Sequence, residues 1–338
     1  MIIHNPVLLK ESIEGLNLKK GATAVDATLG GGGHSREILK IIGTGGRLIA
    51  IDQDDNAVES FRKYLKSEDG NSILVKDNFS NLGETLRGQD VNSADGILAD
   101  LGYSSIQLED ESYGMSFLKD APLDMRLNKE NDLTAEKIVN EYSHADLARI
   151  IKNYGEERFA NSIAKKIIEQ RKIKPIKRTI DLVEIISQAV PEKYKHAKIH
   201  FATRTFQAIR IEVNQELENL EKFIPQAIEA LSNGGRLAII SFHSLEDRIV
   251  KNIFRENARG CICPPKFPVC VCGHKAVVKI ITKKPITPSL AEIENNQRSR
   301  SAKLRICEKL KRQNTKHKTQ KQINNLFIRG TENKCQEF

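Results

Sequence analysis

The chain has 338 residues, 39% of them hydrophobic and 29% charged, which supplies one large core plus an insertion or a second small domain and excludes a chain disordered throughout. Its net charge of +9 is local: Arg298 to Phe338 holds 12 Lys/Arg against three Glu, and the other 297 residues balance at 41 basic and 41 acidic. The opening MIIHNPVLLKES lacks a basic stretch leading into an apolar run, and no apolar segment approaches the ~20 residues that cross a bilayer, so a cytoplasmic chain without membrane contact is expected.

From Ala22, ATAVDATL reads as a buried strand, followed by a glycine run and a helix from Ser35 to Ile42 that breaks at Gly43 to Gly46. RLIAID is a second strand, Asn56 to Leu65 a helix, NSILVKD a third strand, and ADGILADLG a fourth closed by Gly102. Such alternation predicts an α/β fold built on a parallel, doubly wound sheet. Beyond Gly102 the strand pattern stops for about a hundred residues and capped helices take over. Ser143 and Asp146 form a capping box, Gly155 ends that helix, and Phe159, Ile163, Ile167 and Ile168 mark the stripe of the next. Phe206, Ile209, Val213, Leu217 and Leu220 predict one further helix, running to the break at Asn233-Gly234-Gly235 before the strand RLAIISF.

The sheet therefore resumes after an all-helical insertion. The division expected is 1–106 and 208–311 for the two parts of the core, 107–207 for the inserted substrate-recognition domain, and 312–338 for a basic, disordered tail. AVVKIIT and AKLRIC are strand candidates for an antiparallel hairpin that completes the sheet. Charge alone leaves two readings of the basic end: a polyanion ligand, whose counterions are released on binding, or a solvated appendage. Cys261, Cys263, Cys270 and Cys272 form C-x-C-x6-C-x-C among prolines. That pattern fits structural zinc or simply a tight loop, with C-x-C shorter than the usual ligand spacing, and no metal site is assigned from sequence.

The chemistry concentrates at strand ends. The loop Asp26 to Ser35, with Gly30 to Gly33 at its centre, joins the first strand to the first helix, where bare backbone and outward amides receive a nucleotide-like ligand. No Gly-Lys-Ser/Thr follows, and the third glycine of a dinucleotide loop is missing. Asp52 ends the second strand about 20 residues further on, where a carboxylate accepts both hydroxyls of a ribose. Phe79 follows the third strand and either packs on an adenine or joins the core. Asp100 closes the fourth strand, beside the expected switch point, and could bind a cofactor, orient an acceptor amine, or do both. A nucleophilic pairing of His243 with Ser241 or Ser244 lacks the nucleophile elbow it requires.

These residues resemble a known family, the bacterial cytosine-N4 methyltransferases of small-subunit ribosomal RNA. The resemblance runs from His4 to about Arg305 through HNPVLLKE, DATLGGGGHS, DGILADLGYSS, APLDMRL, YGEERFA, ATRTFQAIRI, GGRLAIISFHSLEDRIVK and RSRSAKLR. It implies a class I, Rossmann-like methyltransferase core with a helical insertion, S-adenosylmethionine as donor, and one cytidine of the decoding centre of 16S ribosomal RNA as acceptor, within the small ribosomal subunit. By motif position it places cofactor contacts on Gly32, Gly33, His34, Asp52, Phe79, Asp100 and Gln107. Tyr103, Ile106, Phe201 and Gln297 depart from the residues commoner there. A DNA amino-methyltransferase would carry paired prolines where Asp100-Leu101-Gly102-Tyr103 stands, and an assembly factor without catalysis would not need the glycine loop with Asp52.

Overall fold

The computed structural model describes residues 6–65, 71–103, 105–264, 267 and 269–311, with 105 and 106 described in backbone alone. The expected tail at 312–338 and His4 lie outside the described residues.

Seven strands form one sheet: β1 (Thr23–Asp26), β2 (Arg47–Asp52), β3 (Asn71–Lys76), β4 (Ala94–Asp100), β5 (Leu231–Ser241), β6 (Val278–Ile280) and β7 (Lys303–Lys309). Their spatial order is β3-β2-β1-β4-β5-β7-β6. The first five pair in parallel, whereas β7 runs antiparallel to both β5 and β6. The chain winds outward from β1 to β3 and then restarts at β4 on the other side of β1, so the carboxyl ends of β1 and β4 flank a switch point.

The strands alternate faces with the two-residue period of extended chain. Val25, Ile49, Ile97 and Ile239 enter the core beneath helices Leu82–Gly88 and Glu216–Ala230. Ala24, Leu48, Leu98 and Ala238 enter the core beneath helices Leu9–Leu16, Gly33–Ile42 and Asp55–Tyr64. Burial on both faces explains why β1, β2, β4 and the second half of β5 read as continuous apolar runs.

Between β4 and β5 a third core forms, mostly from helices, with Met115, Leu123, Met125, Leu127 and Ile176 added from the segments between them. It joins Ile138, Leu147, Ile151, Ile163, Ile167, Leu182, Ile186 and Ile209. Ser143 caps helix His144–Gly155 as its sequence predicts, its side chain accepting from the Asp146 amide.

Two expectations need correction. The stripe from Phe206 to Leu220 is two helices, Thr203–Asn214 and Glu216–Ala230, separated by Gln215 in the left-handed region at φ 50°. Asn214 pins the corner: its Oδ1 accepts from the Leu127 amide at 2.9 Å and its Nδ2 donates to the Met125 carbonyl at 2.8 Å. Val213 consequently packs in the helical core and Leu220 in a sheet core. The glycine pair at Gly234-Gly235 does not precede the last parallel strand but lies inside β5, where the pairing with β4 shifts register between Ala94 and Gly96. Gly234 takes φ 85°, and a Cβ on Gly235 would stand 3.0 Å from the Ala94 carbonyl, so the glycines permit a bulge rather than a break. Among the described residues no helix is long and apolar enough to cross a membrane.

Candidate functional site

The carboxyl ends of β1, β2 and β4 open into one cleft of about 1200 Å³, counting its solvent-open mouth. Its frame is a set of carboxylates that hold the glycine loop. Asp26, buried at the end of β1, accepts from the Ser35 hydroxyl at 2.6 Å and the Thr28 amide at 3.2 Å. The Thr28 hydroxyl in turn accepts from the Asp100 amide at 2.6 Å, fixing the loop to β4. Asp52 accepts from the Gly30 amide at 2.7 Å and the Asp54 amide at 2.9 Å, so the loop is fastened to β2 as well. Gly30 and Gly32 adopt φ 49° and 72°, conformations that cost little only for a residue without Cβ.

Of the residues expected to meet a cofactor, Gly33, His34, Asp52, Phe79, Asp100 and Gln107 line this cleft. Gly32 does not line it. A Cβ there would overlap the ring of Phe61, so this glycine serves the close packing of helix Asp55–Tyr64 behind the loop. Phe79 pairs with Phe223 at 5.2 Å in a T-shaped arrangement, and it also borders the cleft. Gln107 donates to Asp54 at 2.9 Å, as does the Tyr113 hydroxyl, while Asp54 caps helix Asp55–Tyr64 through the Asn56 amide. The start of the helical insertion is thereby tied to the end of β2.

Electrostatics set this cleft apart. Burial pushes the Asp52 carboxyl up to about 6 and Asp26 up to about 7, against the amides and the Ser35 hydroxyl that favour their ionised forms. Asp100 is raised well above the usual carboxylate range, first by burial and then by the negative charges of Asp26 and Glu246. Its Oδ2 faces His34 Nδ1 at 3.7 Å, and its buried Oδ1 has no hydrogen-bond partner among the described residues. His34 Nε2 lies 3.2 Å from the Val7 carbonyl, which requires that nitrogen to donate and leaves Nδ1 turned toward Asp100. A ligand cation and N–H donors would satisfy these groups, and the cleft suits both.

The far half of the cleft was not legible as a site from sequence. Glu216 lines it, held by Arg210 through paired contacts of 2.8 and 2.9 Å, and Arg210 lies 4.7 Å over the Tyr103 ring. Glu246 lies there too, buried; burial pushes its carboxyl up, but His243, backbone amides and Arg210 outweigh this and hold it below its ordinary value. His243 caps helix Ser244–Asn257, and the Ser244 hydroxyl donates to Glu156 at 2.7 Å, so neither forms a nucleophilic pair. Glu216, His243 and Glu246 could bring ligand atoms within 4.8 Å of one another, yet Arg210 takes both Glu216 oxygens and the Phe242 amide takes Glu246 Oε2 at 2.8 Å. These carboxylates are satisfied without an ion.

A parallel sheet of this order with an antiparallel seventh strand, a glycine loop after β1 and an acid at the end of β2 defines a class I, Rossmann-like methyltransferase core. Residues 1–310 match the MraW methylase family, and the chain belongs to it. A ribosomal RNA small subunit methyltransferase H from Clostridium botulinum (strain Kyoto / Type A2) is 53% identical over 307 residues, covering 91% of this chain and 99% of the relative. The proteins of the same name from Halothermothrix orenii and Finegoldia magna are 51% and 50% identical, over 92% and 91% of this chain and 99% and 98% of their own lengths.

Proposed function

We propose that the chain methylates ribosomal RNA with S-adenosylmethionine as donor, and that its acceptor is the exocyclic N4 amine of a cytidine in the decoding centre of 16S ribosomal RNA, presented by the small ribosomal subunit in the cytoplasm. Family membership and the shared name of relatives at 50 to 53% identity support RNA methylation. The single observation that carries the choice of an amine is Asp100: a buried carboxyl with an unpartnered oxygen where the two halves of the cleft meet.

Gly33, His34, Asp52, Phe79, Asp100 and Gln107 would hold the donor, with Gly32 shaping the loop behind them. When bound, S-adenosylmethionine supplies a methyl group made electrophilic by its sulfonium. Asp52, ionised, would accept from ribose hydroxyls, and Phe79 would pack against the base. An exocyclic amine is a weak nucleophile because its lone pair is delocalised into the ring. Asp100 acts by accepting from its N–H and turning the lone pair toward the donor. A cation held nearby also favours the ionised form of Asp100 that such acceptance needs. The helical insertion, together with Tyr103, Glu216 and Arg210 on the far half, borders the space left for the RNA base.

Asp100→Ala is expected to abolish methyl transfer to assembled small subunits, read as label incorporated from methyl-labelled donor, while filter binding of RNA stays within about twofold. Turnover at the wild-type rate would remove Asp100 from the chemistry.

A further inference from the structure

The loop between helix Ser244–Asn257 and β6 takes no part in the cleft, and it gathers four thiols. Cys261 Sγ lies 3.4 Å from Cys270 Sγ and 3.7 Å from Cys272 Sγ, and the last two stand 3.6 Å apart. Cys263 completes the group, all four sulfurs falling within 4.8 Å of one another. All four are free of disulfide bonds.

We propose that Cys261, Cys263, Cys270 and Cys272 bind one structural zinc ion as a tetrathiolate. With zinc–sulfur bonds of about 2.3 Å, the edges of a regular tetrahedron of sulfurs are about 3.8 Å, close to the three spacings just given. An iron–sulfur cluster needs room for several metal atoms between its cysteines, and sulfurs this close enclose only one. Thiolate ligands in a closed four-coordinate site select zinc over the harder magnesium and calcium, which take oxygen.

The surrounding backbone is arranged for charged sulfur. The amides of Ile262 and His274 donate to Cys272 Sγ at 3.5 and 3.4 Å, that of Cys263 to Cys261 Sγ at 3.4 Å, and that of Val271 to Cys263 Sγ at 3.4 Å. Four N–H donors stabilise thiolates and orient them, as outer-shell partners do at metal sites.

The loop has little other support among its described residues. It runs about twenty residues, and those described form no helix or strand, a length that is uncommon unless something fixes it. Its apolar side chains point outward: Phe267 is 54% exposed, Val269 69% and Val271 72%. Its base is fastened by the Val277 amide to the Asn257 carbonyl at 2.9 Å and by His274 Nε2 at 3.1 Å from the Glu256 carbonyl, and within the loop the Phe267 amide donates to the Pro264 carbonyl at 3.0 Å. Between these ties and Cys261 a metal is what would substitute for a core. On binding, four thiols lose their protons to water and the ion with its ligands carries two negative charges, beside Arg259 and Lys275 in sequence.

The test uses the full chain, expressed with zinc in the medium and purified under reducing conditions without chelator. Elemental analysis should find one zinc per chain, falling to about zero in Cys261→Ser/Cys270→Ser. Cobalt added to chelator-stripped wild type should produce the absorption bands of tetrahedral cobalt thiolate, which does not depend on whether the variant folds. Stripping the metal should speed proteolysis between residues 258 and 277 while leaving S-adenosylmethionine affinity, measured by calorimetry, unchanged. Less than one tenth of a zinc per chain with four reactive thiols, iron in place of zinc, or disulfides among these cysteines in freshly purified protein would each overturn the proposal.

Discussion

Affinity for S-adenosylmethionine should depend on pH through Asp52. Its carboxyl stands at about 6 in the free protein against an ordinary 3.8, chiefly because it is buried. A ligand whose ribose hydroxyls donate to the ionised form, and whose cation lies in the same cleft, pulls that value back toward 3.8 and expels a proton on binding. The sign follows: the folded, free protein holds the proton too tightly below pH 6, so affinity falls as pH falls through that value. If binding restores the ordinary value in full, affinity at pH 5 is about tenfold below that at pH 7, and the limiting difference of about two pKa units is ~3 kcal/mol. Calorimetry between pH 5 and 7, in two buffers of different ionisation enthalpy, measures both the affinity and the protons released. Asp52→Asn should bind weakly at every pH and release none from this position. Equal affinity at pH 5 and pH 7 in the wild type, with no proton released, would refute the assignment of Asp52 to the ribose.

Other perturbations separate structural from binding glycines and the tail from the fold. Gly32→Ala must place a Cβ into the Phe61 ring at φ 72°, and the combined strain should cost about 2 to 4 kcal/mol in denaturant unfolding; Phe61→Leu in the same chain should recover part of that. Stability unchanged by Gly32→Ala would contradict the packing described behind the loop. Deleting the residues after Arg312 removes five Lys/Arg and two Glu, and should weaken RNA binding and flatten its dependence on salt while cofactor affinity holds. An unaltered salt slope would identify the segment as a solvated appendage.

The sheet was legible because β1, β2, β4 and the second half of β5 are buried on both faces, so each appears as an apolar run, and because Asp26, Asp52 and Asp100 stand where those runs end. The antiparallel pairing of β6 with β7 also follows the two short runs that predict it. The corner at Gln215 was not legible. A helical stripe continues across it in sequence, no glycine marks the left-handed residue, and the side chain that forces the turn, Asn214, finds its partners at Met125 and Leu127 almost ninety residues away. The far half of the cleft was hidden as well, because Glu216 and Glu246 begin two different helices on either side of β5 and no local motif links them. The packing of Gly32 was not legible for a related reason: a run of four glycines does not reveal which one stands against Phe61.

The central claim is most directly tested on the product. Small ribosomal subunits from cells lacking this chain, incubated with the purified protein and methyl-labelled S-adenosylmethionine, should yield one labelled nucleoside. Nuclease digestion and mass mapping should identify it as N4-methylcytidine in a decoding-centre fragment of the small-subunit RNA, with no label from the Asp100→Ala protein. Label on another base, on a ring carbon or ribose oxygen, or on large-subunit RNA would contradict the account.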